Sequence, residues 1–283
     1  MIDLHTHSTA SDGTLSPSRL VQLAAKSKLD AVALTDHDTL SGLQEALDAG
    51  RECNIEVIPG CELSVGAGSQ SMHLVGLWTA PGSPALTRSF EFVLKARAER
   101  NVKIVAKLKK LGIDISLEEV AAKAGGTVGR PHIAQVLVEK GAVPTLGQAF
   151  SEFVGNHGSA YVPRIRLSPQ EALTALKEDG ATSILAHPAL LGLKYHQLKE
   201  TLVELKALGL DGLEVYYTDH SPRTMDLLLR LASDLDLVVS GGSDFHGAIK
   251  PNISLGRGKG SLFIPLRVLD ELKDYRKQQG LWT

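Results

Sequence analysis

Short apolar or β-branched runs alternate along most of the chain with segments whose apolar residues recur every three to four positions. The runs near 2–6, 30–35, 55–61, 72–78, 182–186, 212–217 and 237–241 read as strands, and helical periodicity marks 40–51, 168–179, 196–208, 221–234 and 266–279. An earlier helix opens at Ser16-Pro17, where serine can cap and proline suits the first turn, with Leu20, Leu23 and Ala24 then sharing one face. Strand and helix in alternation predict parallel strands joined by crossover helices. Between 83 and 158 the alternation stops. The sequence there is helical and more charged, Lys/Arg-rich over 95–110 and broken at Gly125-Gly126 and Pro144. The expected fold is therefore α/β, with the strands in 1–82 and 159–283 and a small helical insertion at 83–158, a pattern that argues for a barrel of irregular strand number over a doubly wound sheet, between which strand count alone does not decide. Within the insertion, Val102, Val105 and Leu108 on the helix from Ala96 to Leu111 are expected to pack.

Composition refines this only in part. A chain of 283 residues, 43% hydrophobic and 22% charged, is an ordinary globular protein with a substantial core. Its formal net charge of −2 offers no general attraction to polyanions, so a nucleotide or nucleic acid would need a local positive site. With aromatic residues at 5%, a long stacking platform for single strands is not expected, and a mononucleotide or short oligonucleotide end is the better fit. No apolar run approaches the roughly 20 residues of a membrane span. Cys53 and Cys61 lack the spacing of a metal pair, and the chain opens into strand-like Ile2-Asp3-Leu4 rather than a leader pattern, so a cytoplasmic location is expected. Nothing points to a stable protein partner.

The chemistry lies at the strand ends. In His5-Thr6-His7 the two imidazoles, two residues apart on a strand, point to one side and can reach one ion. Asp12 follows in a turn. Thr35-Asp36-His37-Asp38 closes the second strand, where barrel enzymes place their active sites, with His37 the candidate ligand and Asp36 a candidate for orienting an imidazole. Glu62 ends the third strand, and Gly66-Ala67-Gly68-Ser69 can fold the chain back as a hairpin, returning His73 to the same edge. His187 and the pair Asp244 and His246 complete the series. Any one of these could be a cap or a buried core histidine, but six histidines and three carboxylates at successive strand ends point to metal. Nine ligands exceed the needs of one ion. Imidazole mixed with carboxylate suits manganese, zinc or iron over calcium or magnesium. Several divalent ions against three carboxylates would attract phosphate and make hydroxide available near neutral pH. His187 and Asp36 are possible catalytic groups beside the ions.

This series, His5-x-His7, Asp12, Thr35-Asp36-His37-Asp38, Glu62, His73, His187-Pro188 and Asp244-Phe245-His246, resembles the polymerase and histidinol phosphatase (PHP) family over nearly the whole chain. The resemblance implies a distorted seven-stranded barrel that hydrolyses phosphoesters with two or three divalent cations, foremost Mn2+. It implies His5, His7, Glu62 and Asp244 around one ion, Asp12, His37 and His246 around a second, and Glu62, His73 and His187 around a third. Gly129-Arg130-Pro131-His132, with Tyr161-Val162-Pro163 and Leu213-Glu214-Val215-Tyr216, is similar to the branch that removes the 3′-phosphate of nucleoside 3′,5′-bisphosphates and trims short RNA from the 5′ end. Arg130 and His132 would then meet substrate phosphate at a helix start, where backbone N–H groups favour anions. Arg97, Arg100 and Lys194 are further phosphate candidates. The competing readings are a small-molecule phosphatase of histidinol-phosphate type and a non-catalytic metal-bearing subunit.

Overall fold

A computed structural model of the chain describes residues 1–67, 70–124 and 128–283. Seven strands form one nearly closed barrel in sequence order: β1 (Ile2–Asp3), β2 (Ala31–Leu34), β3 (Glu56–Ala67), β4 (Gln70–Leu77), β5 (Thr182–Leu185), β6 (Gly212–Tyr217) and β7 (Val238–Gly242). The helices are α1 (Pro17–Lys26), α2 (Leu43–Cys53), α3 (Pro84–Lys110), α4 (Leu117–Ala121), α5 (Arg130–Glu139), α6 (Leu146–Ala149), α7 (Pro169–Glu178), α8 (Tyr195–Ala207), α9 (Pro222–Asp234) and α10 (Arg267–Gln278). The described chain divides into two compact units, Met1–Phe90 with Leu167–Thr283, and Glu91–Arg166.

In the barrel unit the alternation along β2 sorts side chains between two cores. Ala31 and Ala33 face Ile2, Ile58, Leu77 and Ile184, while Val32 and Leu34 face Leu20 and Val21 of α1 and Leu43 and Ala46 of α2. The start of α1 is set as the sequence predicts, with Ser16 accepting from Arg19 N at 3.3 Å and Pro17 in the first turn. Helix α10 packs Val268, Leu269 and Leu272 against the inner core. Its buried Arg276 lies over the Trp78 ring and donates to Trp282 O, Gly180 O and Thr182 Oγ1, joining the C-terminal segment to β5.

The hairpin expected between the third and fourth strands is present, and the strand bounds are corrected. The strands are not all parallel: β4 runs antiparallel to both β3 and β5. The reason is connectivity, because β3 continues well past the predicted end at 61 and returns directly as β4, whereas the other strands are separated by helices. Gly68 and Ser69 of the expected turn lie outside the described residues, as do Gly125 and Gly126. Strand β1 is also shorter than predicted, ending at Asp3. Residues 4–7 remain tied to the far edge of the sheet by Leu4 N to Gly241 O (3.1 Å), Asp244 N to His5 O (2.9 Å) and His7 N to Phe245 O (2.9 Å), a looser pattern than a ladder.

The helical unit has its own core of Ile104, Leu108, Ile115, Ile133, Leu137, Val154 and Ala160. It spans 91–166 rather than 83–158, because the first turns of α3 belong to the barrel unit: Leu86 is buried there, and Ala85 N and Leu86 N donate to Asp179. On α3, Val105 and Leu108 are buried as expected, but Val102 is half exposed. Among the described residues no helix is long and apolar enough to cross a membrane.

Candidate metal centre and active site

At one end of the barrel, all nine side chains singled out in the sequence come into one cluster. Glu62 is its hub. The long β3 carries it beside the end of β2, where Asp38 N donates to Glu62 O and Glu62 N to Asp36 O. Its Oε1 lies 2.8 Å from His73 Nδ1 and 3.0 Å from His187 Nε2; its Oε2 lies 3.0 Å from His37 Nδ1 and 3.3 Å from both His5 Nε2 and His7 Nε2. Asp244 Oδ1 stands 3.3 Å from His7 Nε2, and Asp12 Oδ1 3.3 Å from His246 Nε2. Donor atoms within 4.8 Å of one another form four overlapping groups: His7, Asp12, His37 and His246; His5, His7 and Asp244; His5, Glu62 and His187; and His37, Glu62 and His73. His73 and His187, expected around the same ion, thus fall into different groups that share Glu62.

The electrostatics of the cluster suit cations. Burial pushes the Glu62 carboxyl up, but the charges of His37 and His5 outweigh it and hold it well below the usual range. Asp244 and Asp12 are held low against the effect of burial by His7 and His246 respectively. Burial pulls the His7 imidazole down, yet Asp244 and Glu62 raise it to about 9, while burial lowers His37 to about 4. The geometry supplies the test of fit for metal. His5 Nε2, both nitrogens of His7 and His37 Nδ1 are buried and have no hydrogen-bond partner among the described residues. Buried polar atoms without partners are costly, and imidazole nitrogens converging on carboxylate oxygens are the donor set of a divalent cation. The residues fit the group.

Around this cluster stand residues that orient it. Glu214, in the otherwise apolar β6, is 2.9 Å from His5 Nδ1 through Oε1 and accepts from His187 N at 2.6 Å through Oε2. One carboxylate thereby turns two candidate ligands toward Glu62. Tyr217 donates to Asp244 Oδ2 at 3.0 Å, and Lys250 Nζ reaches the same oxygen at 2.7 Å. Neither Glu214 nor Tyr217 was singled out as a site residue. A carboxylate in the middle of Leu213-Glu214-Val215 was the available signal, whereas Tyr217 gave none. His187, Asp38 and Asp244 hold left-handed backbone conformations, a strain that gathers at functional sites.

Two catalytic candidates are revised. Asp36 does not orient an imidazole: its carboxylate accepts from Ser8 N (2.8 Å), Ser8 Oγ (2.6 Å) and Ser11 Oγ (2.6 Å), fastening the loop between His7 and Asp12. His187 has its Nε2 turned into the cluster against Glu62, so that nitrogen is not available as an independent proton donor.

The phosphate candidates divide between the units. Lys194 is exposed at the start of α8, its backbone N donating to Gln197 Oε1. In the helical unit, His132 accepts from Gly129 N at 3.0 Å and so serves the start of α5, while the Arg130 guanidinium donates to Val154 O and Asn156 Oδ1. Arg100, 7% exposed, donates from Nε to Val162 O, and its buried Nη2 has no hydrogen-bond partner among the described residues. Burial and the neighbouring charges of Arg130, Arg164 and Arg97 bring it down to about 10.

Barrel and cluster together define a metal-dependent hydrolase. The chain belongs to the PHP domain family, whose model matches residues 3–139. It is 37% identical to a 5′-3′ exoribonuclease of Haemophilus influenzae across 86% of this chain and 89% of that protein. It is 32% identical to a 3′,5′-nucleoside bisphosphate phosphatase of Chromobacterium violaceum across 87% of each. A crystal structure from Bifidobacterium adolescentis, described as a candidate metal-dependent phosphoesterase, superimposes with a TM-score of 0.76 at 33% identity, covering 96% of this chain and 95% of that one.

Proposed function

We propose that the chain is a metal-dependent phosphoesterase that removes the 3′-phosphate of nucleoside 3′,5′-bisphosphates and trims short RNA from its 5′ end. The observation that carries this reading is the convergence of six imidazoles and three carboxylates about Glu62, with four buried imidazole nitrogens lacking hydrogen-bond partners among the described residues. The four groups would hold two or three divalent cations of the manganese, zinc or iron kind, with manganese foremost by the family resemblance. Bound cations supply Lewis acidity and lower the pKa of water enough for hydroxide near neutral pH. Within the chain, Glu62 draws the imidazoles together, Glu214 fixes His5 and the backbone of His187, and Asp36 fastens the loop carrying Asp12. The arginines around Arg100 are proposed as a phosphate-binding site of the helical unit. That cluster disfavours a histidinol-phosphate type of substrate, which has no second phosphate. Both cysteines are free, which suits a reducing, cytoplasmic setting.

The test is phosphate release by manganese-loaded protein from adenosine 3′,5′-bisphosphate, with adenosine 5′-monophosphate as the control. Preferential release from the bisphosphate is expected. Equal release from both, or none from the bisphosphate, would overturn the substrate assignment. His37→Ala should abolish turnover in a protein whose circular dichroism is unchanged.

A further inference from the structure

Lys250 stands at the edge of the cluster in an arrangement that the orientation of Asp244 does not require. It follows His246 on a short turn, Gly247–Ile249, that is fastened on several sides. Thr14 N donates to His246 O, Ala248 N to Thr14 Oγ1, Lys250 N to Gly247 O and Ile253 N to Lys250 O. The backbone at Lys250 is therefore fixed, while its side chain is 36% exposed and its Nζ meets Asp244 Oδ2 at 2.7 Å. The other oxygen of that carboxylate, Oδ1, faces His7, His246 and His5. The ammonium thus lies one carboxylate away from converging metal donors.

Two physical arguments separate the role of Lys250 from that of Tyr217. First, Asp244 Oδ2 already accepts from the Tyr217 hydroxyl at 3.0 Å. A neutral phenol holds the carboxylate without opposing a cation at Oδ1. Second, an ammonium at this distance repels a divalent cation at Oδ1 and weakens its binding. Such a charge is useful beside a metal when an anion arrives that both can contact, and a lysine has three N–H donors of which Asp244 takes one.

We propose that Lys250 is a phosphate-contacting residue of the active site, donating to a non-bridging oxygen of the substrate phosphoryl group, and that Tyr217 is the residue that positions Asp244. The proposal rests on the metal-dependent phosphoesterase reading. It predicts opposite signs for two measurements on one variant. Lys250→Met should bind manganese as tightly as the wild type or more tightly, as measured by competition with a chromophoric chelator. The same variant, loaded with manganese, should lose about tenfold to a hundredfold in affinity for inorganic phosphate, measured as product inhibition or by calorimetry, with a similar loss in kcat/KM. Lys250→Arg should recover part of the loss. Tyr217→Phe should instead weaken manganese binding.

Weaker manganese binding in Lys250→Met would overturn the proposal and make the lysine a support for Asp244. Unchanged phosphate affinity in that variant would also overturn it, marking the ammonium as a bystander. Wild-type protein supplies the separate check on the underlying reading: phosphate binding that appears only with manganese upholds the metal centre whatever Lys250 does, and failure of manganese-loaded wild type to bind phosphate overturns both.

Discussion

At the scale of single residues, the cluster depends on groups that orient ligands as much as on the ligands themselves. Glu214 is the clearest case, because its two oxygens serve two different candidate ligands, the ring of His5 and the backbone of His187. Glu214→Gln preserves size but replaces an ionised acceptor with a neutral amide. Loss of such a partner typically weakens metal affinity by about ten- to a hundredfold. Chelator competition should show that fall, with little change in the folded spectrum; an unchanged affinity would show that packing alone orients His5. The same scale exposes what residue type cannot reveal. Aspartates 36 and 38 flank His37 in sequence and look equally suited to the site, yet Asp36 accepts from serines 8 and 11 while Asp38 accepts from Ser64 N. Which partner each one meets depends on loops brought alongside by the fold.

Among elements, the decisive contact is between the start of the chain and β7. His5 lies so close to Gly242 that an added Cβ there would fall 2.1 Å from His5 Cβ and 2.5 Å from His5 N. Gly242→Ala must therefore push the segment carrying His5 and His7 away from β7, displacing ligands as well as packing. Overpacking of this kind costs about 1–3 kcal/mol. Thermal unfolding should show the lower midpoint, accompanied by weaker manganese binding; a variant of wild-type stability and affinity would mean that the barrel closure is more yielding than these contacts imply. Elements were also where sequence periodicity reached furthest. The helices of the barrel unit fall within a few residues of their predicted spans, because capping and amphipathic spacing are local, whereas α3 begins at Pro84, twelve residues before the expected Ala96. The direction of β4 was legible only through the glycine-rich turn before it, since an apolar run reads the same in either direction.

Across the whole molecule, the candidate ligands extend from His5 to His246, so binding a cation links segments far apart in the chain. Metal bound to the folded state alone stabilises it in proportion to the logarithm of free metal over Kd, about 4 kcal/mol at a thousandfold excess. Manganese should accordingly raise the midpoint of thermal unfolding, and EDTA should reverse the shift. A midpoint indifferent to both would count against a metal centre in this cluster. Sequence alone determined the residue types, their order at successive strand ends and the family these imply, because strand periodicity and helix caps are written in neighbouring positions. Tertiary structure decided that Glu62 is the hub, that Glu214 and Tyr217 orient the donors, that Asp36 fastens a loop, and that Arg100 is buried with its Nε donating to Val162 O. These relations join residues tens to hundreds of positions apart, and only closure of the barrel and packing of the helices bring them within bonding distance.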